Sequence, residues 1–288
     1  MSPNFSTRIH KVRKGQPEEL DDLLAVEEPL EIRVDHSVDG IRQSLALTVT
    51  MRTPGHDEEL ALGFLLNEGV ILEQQDVMAV ATCGSADPAT GLHNTIKVEL
   101  APQVKLDIQR LERHFVANSS CGVCGKTSIE HIQTPAHMER HSSNRLLQES
   151  VLRRLPAAMR EAQASFGQTG GIHASALFNR EGNLLALFED VGRHNALDKL
   201  SGHCWREGRT DLHECILLVS GRLSFELVQK AVMSGFGLVA AIGPPSSLAL
   251  QLARQFDMTL IGFLHAEHFN VYHGIERLSG MSPADTTP

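Results

Sequence analysis

The chain has few aromatic residues and fewer basic than acidic ones. Aromatic side chains make up 5% of its 288 residues, with one Trp and one Tyr, and its formal net charge at pH 7 is −9. Single-stranded nucleic acid is bound by aromatic stacking along a basic groove, and duplexes are bound by Lys and Arg that neutralise phosphates. The composition therefore predicts no nucleic-acid partner and no attraction to an anionic membrane surface.

Long apolar runs and a disulfide framework are also absent from the sequence. No stretch approaches the roughly 20 apolar residues of a membrane-spanning helix, and the polar N-terminus lacks the apolar centre of a secretory signal. Five cysteines form an odd set that is too sparse for a disulfide-stapled fold. We therefore expect a cytoplasmic protein without a membrane partner, whose thiols stay reduced.

What is present is an ordinary globular composition, with 42% hydrophobic and 21% charged residues. Changes in composition and in apolar pattern along the chain predict four regions. Residues 1–28 form a loose polar arm, residues 29–118 a small α+β domain, residues 119–145 a mobile Cys-containing connection, and residues 146–288 an α/β domain.

The last region has the alternating order of an α/β fold. Apolar strand patterns cover 172–178, 184–188, 215–220, 238–242 and 259–264. Helical patterns cover 156–166, 193–203, 224–234 and 246–256, the first of them begun by Pro156. Strands that alternate with helices predict a mainly parallel sheet covered on both faces.

Two thiols stand out in the motif Ser119-Ser120-Cys121-Gly122-Val123-Cys124-Gly125-Lys126. The glycines leave the sulfurs of Cys121 and Cys124 unshielded, and the Lys126 ammonium favours the thiolate, the form that attacks sulfur or binds metal. A zinc half-site, a disulfide redox pair and a mobile sulfur carrier all use such a pair. The alternative is a turn in which two small cysteines pack without chemistry.

The zinc interpretation rests on ligand spacing. His137 and His141 complete the pattern C-x2-C-x12-H-x3-H, which is that of a zinc finger. However, Pro135 would break the helix that should run into the first histidine. The apolar residues that a finger needs between its ligands are also replaced, so the sequence disfavours zinc.

Polar residues collect where the predicted strands of the α/β domain end, which is where ligands bind in such sheets. One group follows strand 184–188 and contains Arg193 and His194. A second, at 220–224, contains Arg222 at the start of a helix, a combination that suits phosphate. The third follows the last strand and consists of Phe263, Leu264, His265, Ala266, Glu267 and His268. Together they predict a pocket for a large phosphorylated ligand.

Several motifs, in order, resemble those of the formate dehydrogenase accessory sulfurtransferase (FdhD) family over about residues 25–278. They are Thr53-Pro54-Gly55 with Glu59-Leu60-Ala61-Leu62-Gly63-Phe64-Leu65, Cys121-Gly122-Val123-Cys124-Gly125, Thr169-Gly170-Gly171-Ile172-His173-Ala174, and Glu189-Asp190-Val191-Gly192-Arg193-His194-Asn195-Ala196-Leu197-Asp198-Lys199. The resemblance implies a cytoplasmic homodimer that takes sulfane sulfur from a cysteine desulfurase. It would pass that sulfur to the molybdenum of the bis(molybdopterin guanine dinucleotide) cofactor for formate dehydrogenase.

The resemblance also implies roles for individual residues. The persulfide-forming cysteine maps onto Cys121, with Cys124 as its partner thiol. The cofactor segment maps onto 263–268, where His265 replaces a residue that is usually basic, and a guanine nucleotide would fit the same pocket. The larger domain is similar to the cytidine deaminase fold, a three-layer arrangement, but the H-x-E and P-C-x-x-C motifs of zinc deaminases are missing.

Three functions follow as hypotheses. The first is a sulfur carrier that moves sulfane sulfur through a Cys121 persulfide to the molybdenum cofactor. The second is a chaperone that delivers the cofactor to formate dehydrogenase without moving sulfur, in which case the cysteines are incidental. The third, a zinc-binding interaction module, predicts stoichiometric zinc in the purified protein.

Overall fold

The structure is a computed structural model that describes residues 4–88, 90–107 and 146–280. In these ranges the chain divides into two compact units. The first unit takes residues 4–107, 163–173 and 188–208, and the second takes 146–162, 174–187 and 209–280. The first unit thus includes two segments from the part of the chain that the sequence assigns to the α/β domain.

The described residues form fourteen strands and six α-helices. The strands of the N-terminal part are β1 (Asn4–Arg13), β2 (Gln16–Ala25), β3 (Glu28–Val38), β4 (Ile41–Arg52), β5 (Val77–Cys83) and β6 (Thr95–Leu100). The later strands are β7 (Leu147–Gln148), β8 (His173–Phe178), β9 (Leu184–Asp190), β10 (Ile216–Val219), β11 (Leu238–Ala241), β12 (Thr259–Gly262), β13 (Asn270–His273) and β14 (Leu278–Ser279). The helices are α1 (Asp57–Asn67), α2 (Glu149–Ala162), α3 (Ala164–Thr169), α4 (Arg193–Arg206), α5 (Phe225–Met233) and α6 (Ser247–Gln255). None of these helices is long and apolar enough to cross a membrane.

The first unit contains a four-stranded sheet in the order β4-β3-β6-β5. Alternate residues of β3 and β6 are fully buried, including Leu30, Ile32 and Val98, while the residues between them are only partly buried. This two-residue period places one face of the sheet against α1, as expected for a half-covered sheet.

Residues 4–25 form a β-hairpin, which replaces the loose arm expected from the polar sequence. β1 and β2 pair antiparallel over their whole lengths, with Lys14 and Gly15 at the turn, both at positive φ. Opposite charges and apolar residues face each other across the two strands, and such cross-strand pairs stabilise a hairpin that composition alone does not predict.

Helices α1 and α4 of the first unit touch backbone to backbone. A Cβ atom added at Gly63 would lie 1.8 Å from the carbonyl oxygen of Asp198, and one added at Gly202 would lie 1.9 Å from that of Glu59. No Cβ fits at such distances, so two glycines permit this close packing.

We expect Gly63→Ala to destabilise the protein by about 3 kcal/mol, because the new methyl group meets backbone that cannot rotate away. Gly167→Ala is the matched control, since its Cβ would meet nothing within 4 Å in helix α3. There the change should be neutral or stabilise by up to about 1 kcal/mol. Chemical denaturation measures both, and equal effects would contradict the packing described.

The second unit is built on a six-stranded sheet in the order β13-β12-β11-β10-β8-β9. β10, β11 and β12 are parallel and buried at every position, which is typical of strands covered on both faces. On one face, the helix α2 residues Leu152, Leu155 and Met159 pack on these strands.

The prediction of a mainly parallel sheet is correct for these three strands and wrong for β8, and β13 is a further strand that the sequence analysis does not predict. β8 runs antiparallel to β10, and β13 runs antiparallel to β12. The chain between β12 and β13 is a short loop, whereas a parallel return needs a crossover of about a dozen residues or more. The sheet is therefore mixed.

Helix α2 begins at Glu149, seven positions before the predicted start at Pro156, which lies inside it. Proline in a helix interior removes one hydrogen bond and crowds the preceding turn. The buried stripe of Val151, Leu152 and Leu155 lies on this segment, and its burial outweighs that cost.

Candidate functional site

The predicted sulfur-handling residues Cys121 and Cys124 lie outside the described residues, and so do Lys126, His137 and His141. The predictions for the Cys connection and for zinc therefore remain sequence-based. Within residues 4–88, 90–107 and 146–280, no cluster of three or more His, Cys, Asp or Glu side chains could hold a metal ion.

The polar segments of the second unit come together at the carboxyl ends of its parallel strands. We call residues 220–224, 243–246 and 263–268 the strand-end corner. Backbone hydrogen bonds link its three loops, from Gly243 N to Gly221 O at 3.0 Å and from Phe263 N to Gly243 O at 3.1 Å. Arg222 and the 263–268 segment therefore lie at the same edge of the sheet, with the loop at Gly243 between them, because strands β10, β11 and β12 end side by side.

Glycines allow this close contact between the loops. A Cβ at Gly243 would lie 3.0 Å from the carbonyl oxygen of Gly221, and one at Gly262 would lie 2.8 Å from Pro245 Cδ and 3.0 Å from the Tyr272 ring. These positions tolerate no side chain without a shift of neighbouring backbone or ring atoms.

Two helices of the second unit begin at the strand-end corner. Ser224 and Ser246 are the residues that precede α5 and α6, and the Ser246 hydroxyl accepts a hydrogen bond from Ala249 N at 3.2 Å. Helix N-termini carry partial positive charge, and the exposed Arg222 adds a full one. The corner therefore suits an anionic group such as phosphate, although the exposed carboxylate of Glu267 opposes this attraction.

The backbone of the 263–268 segment is bent at Phe263, and hydrogen bonds from helix α2 support it. Phe263 has a φ of 51°, a left-handed conformation that is uncommon for a residue with a side chain, and the residue is 37% exposed. The His265 and His268 rings lie 5.0 Å apart. Arg153 donates hydrogen bonds to the carbonyl oxygens of Ala266, at 3.0 Å, and Glu267.

The 189–195 motif belongs to the first unit, where Asp190 is the centre of a buried network. Its Oδ2 atom accepts from Lys199 Nζ at 2.7 Å and from Thr53 N at 3.1 Å. Its Oδ1 atom accepts from Gly192 N at 2.8 Å and from Asn195 Nδ2 at 3.2 Å. The two ends of the ion pair have side chains 0% and 2% exposed, so neither charge is solvated.

The other charged members of this motif lie at the starts of two helices. Glu189 accepts from Ser165 N and Phe166 N, at 2.9 and 2.8 Å, and so caps helix α3. Arg193 and His194 open helix α4 and are half-buried. The Nε atom of Arg193 is buried and has no hydrogen-bond partner among the described residues.

The surroundings of His173, which include Arg193 and Asp190, shift the pKa of its imidazole. Burial lowers the pKa of His173 below its ordinary value of 6.5, and the positive charge of Arg193 lowers it further, against the opposite effect of Asp190. The folded chain therefore favours the neutral imidazole over the protonated one.

This shift predicts a loss of stability in acid. Because an unfolded histidine binds its proton near pH 6.5 and folded His173 only at lower pH, stability falls as pH drops below about 6.5 towards the folded pKa. His173→Gln should therefore show a smaller decrease in Tm than wild type between about pH 7.5 and about pH 5.5. His10→Gln, at an exposed position, should behave as wild type; equal pH dependence in wild type and His173→Gln would contradict the assignment.

The sequence does not reveal the structural roles of three residues. Arg153 supports the 263–268 segment, and Thr53 and Lys199 complete the Asp190 network. Lys199 falls on the apolar side of a helical pattern, which is an available signal for a paired buried lysine. For Arg153 the sequence carries no comparable signal, because its acceptors are backbone carbonyl groups more than a hundred residues away.

Comparison with known proteins gives consistent matches. The sequence model of the FdhD/NarQ family matches residues 25–279. The "Sulfur carrier protein FdhD" of Nocardia farcinica is 42% identical over 100% of both chains, and that of Mycobacterium tuberculosis is 43% identical over 96% of this chain and 99% of its own.

Among solved structures, a formate dehydrogenase accessory protein from Desulfotalea psychrophila aligns with a TM-score of 0.73, at 22% identity, over 96% of this chain and 100% of its own. This likeness concerns the fold. A guanine deaminase from Nitrosomonas europaea aligns with a TM-score of only 0.29. The cytidine deaminase-like arrangement therefore stays a prediction.

Proposed function

Because the chain belongs to the FdhD/NarQ family, we propose that it is a sulfur carrier that serves the maturation of formate dehydrogenase. The observation that carries the proposal is the full-length match to proteins named as sulfur carriers, in a chain that contains the pair Cys121 and Cys124. A cysteine desulfurase would be the donor and formate dehydrogenase the final recipient.

In the loading step, the Cys121 thiolate attacks the outer sulfur of the desulfurase persulfide. The sulfur–sulfur bond of the donor breaks, the desulfurase cysteine leaves as thiolate, and Cys121 becomes a persulfide. No external oxidant is needed, and the modification is reversible, as a carrier requires.

Two routes lead from the loaded carrier to the acceptor. Cys124 could take the outer sulfur and relay it. Alternatively, the Cys124 thiolate attacks the inner sulfur of the Cys121 persulfide, forms a disulfide and releases the outer sulfur as sulfide. In the second route the two cysteines supply the two electrons that reduce sulfane sulfur to sulfide.

The substrate that receives the sulfur is bis(molybdopterin guanine dinucleotide), a large anion with several phosphates. The strand-end corner supports this proposal through its helix N-termini and Arg222, which are suited to phosphate. Phe263, which is partly exposed, offers a face to a guanine base.

The experiment that tests sulfur transfer is an intact-mass measurement after incubation of the purified chain with a cysteine desulfurase and cysteine. A carrier gains the mass of one sulfur atom, and a thiol reductant removes it. A chain that activates formate dehydrogenase but never gains sulfur is instead the cofactor chaperone.

A further inference from the structure

The turn at residues 265–268 of the second unit lies on the surface and makes few contacts. Each of its four residues is exposed, and it closes on itself through a hydrogen bond from His265 N to His268 O at 2.9 Å. The buried Leu264 precedes it, and Phe269, which packs on the core of the second unit, follows it. Exposed loops with few buried contacts take several conformations unless other groups fix them.

A side chain of helix α2 fixes this turn. Among the described residues, both hydrogen bonds that reach the turn from outside it come from Nη1 of Arg153, one to Ala266 O at 3.0 Å and one to Glu267 O. The two carbonyl groups belong to consecutive peptide groups, so one guanidinium fixes the orientation of both. A charged donor forms stronger hydrogen bonds than a neutral one, which suits this role.

Arg153 is itself held in place by two further contacts. Its Nε atom forms an ion pair with the partly buried Glu149, one turn earlier in the same helix. Its guanidinium carbon also lies 5.9 Å from the centroid of the Phe269 ring, within the range of a cation–π contact. The guanidinium is thus placed by its own helix and by the residue that follows the turn.

These contacts give Arg153 a different role from that of Arg222. Arg222 is exposed beside the start of helix α5, where a positive charge attracts phosphate. Arg153 instead directs its described hydrogen bonds to two backbone carbonyl oxygens and a carboxylate of the same unit. Arg153 therefore shapes the strand-end corner, whereas Arg222 supplies it with charge.

We propose that Arg153 is a positioning residue for phosphate binding at the strand-end corner. By holding the 265–268 turn in one conformation, it fixes one side of the corner before the ligand arrives. Ordering a loose segment costs conformational entropy, and binding to a segment that is already ordered avoids that cost. The inference rests on the proposed function in one respect, because the natural ligand is taken to be the guanine dinucleotide cofactor.

The first test measures the affinity of the full-length chain for guanosine diphosphate by titration calorimetry. Arg153→Gln should raise the dissociation constant about tenfold, because the ligand must then order the turn. Arg154→Gln is the matched control and should bind as wild type does. Arg154 is the next residue of the same helix and also donates to a backbone carbonyl oxygen, that of Glu181 at 3.3 Å, between β8 and β9. Equal dissociation constants for wild type and Arg153→Gln, or no binding to wild type, would overturn the proposal.

The second test distinguishes positioning of the turn from direct contact with phosphate. Charges that contact a ligand are screened by salt, so Arg222→Gln should make the dissociation constant less sensitive to ionic strength. Arg153→Gln should keep nearly the wild-type sensitivity, since Arg222 and the helix N-termini are unchanged. A loss of salt sensitivity as large as that in Arg222→Gln would assign Arg153 to the ligand and refute the positioning role.

The third test uses limited proteolysis to detect the conformation of the turn. An endoproteinase that cuts after glutamate needs the chain around Glu267 to leave its folded conformation. Arg153→Gln should be cut there faster than wild type or Arg154→Gln, and saturating guanosine diphosphate should restore the wild-type rate. Unchanged cutting after Glu267 would show that Arg153 does not hold the turn.

Sulfur loading separates this inference from the proposed function. Arg153→Gln should gain one sulfur from the desulfurase as wild type does, yet activate formate dehydrogenase less, since only the cofactor step is altered. If neither protein gains sulfur while their affinities for guanosine diphosphate differ as expected, sulfur transfer is refuted and the positioning role stands. If the variant alone fails to gain sulfur, Arg153 acts on loading and the inference is wrong.

Discussion

Replacement of Cys121 by Ala is expected to abolish sulfur loading and to leave formate dehydrogenase inactive. The proposed step needs a thiolate that attacks the donor persulfide and then carries the extra sulfur, and a methyl group can do neither. We expect formate dehydrogenase activity to fall by at least about a hundredfold in cells that depend on this chain, as is usual when a nucleophile is removed.

The control for this variant is another cysteine of the same chain. Cys83 is a free, half-buried thiol at the end of β5, and Cys83→Ala should retain full activity. Cys124→Ala separates the remaining possibilities, because a relay or disulfide role predicts sulfur trapped on Cys121 without activation. A fully active Cys121→Ala protein would contradict the proposed function.

Replacement of Lys199 by Met is expected to lower the free energy of unfolding by about 3–5 kcal/mol. Lys199 supplies the only positive charge among the hydrogen-bond partners described for the Asp190 carboxylate, whose side chain is 0% exposed. Without that ammonium the carboxylate is left buried and uncompensated, and the Thr53 carbonyl oxygen also loses its 2.8 Å donor.

Two further variants test this account of Lys199. The double variant Lys199→Met/Asp190→Asn should be more stable than Lys199→Met, because it removes the unpaired charge while it keeps an oxygen for the amide donors. Lys105→Met, at an exposed lysine, should change stability by less than about 0.5 kcal/mol. If Lys199→Met resembles Lys105→Met in urea denaturation, the ion pair does not stabilise the fold as described.

The elements that the sequence predicts well are those set by local pattern. The predicted apolar runs at 215–220, 238–242 and 259–264 are short and separated by helical patterns, and the structure forms parallel strands within them, at 216–219, 238–241 and 259–262. The placement of Arg222 and the 263–268 segment at one edge of the sheet follows from the same pattern, since they come directly after β10 and β12, the two strands that flank β11.

What the sequence does not predict depends on contacts between distant segments. Thr53 and Asp190 are 137 residues apart and meet through a backbone N–H group, which no side-chain pattern reveals. The residues at 4–25 have a polar composition typical of a loose arm, and only the register of their opposite charges indicates a hairpin. The sequence predicts the start of α2 at Pro156, because proline favours the first turn of a helix. The buried apolar residues before Pro156 extend the helix back to Glu149.

The central claim is that Cys121 carries the sulfur, and the most direct measurement is to locate that sulfur within the chain. The protein is loaded by a cysteine desulfurase, its thiols and persulfides are alkylated, and the digested peptides are analysed by mass spectrometry. We predict one additional sulfur on the peptide that contains Cys121, and none there in Cys121→Ala. An additional sulfur found only on other cysteines, or on none, would contradict the account.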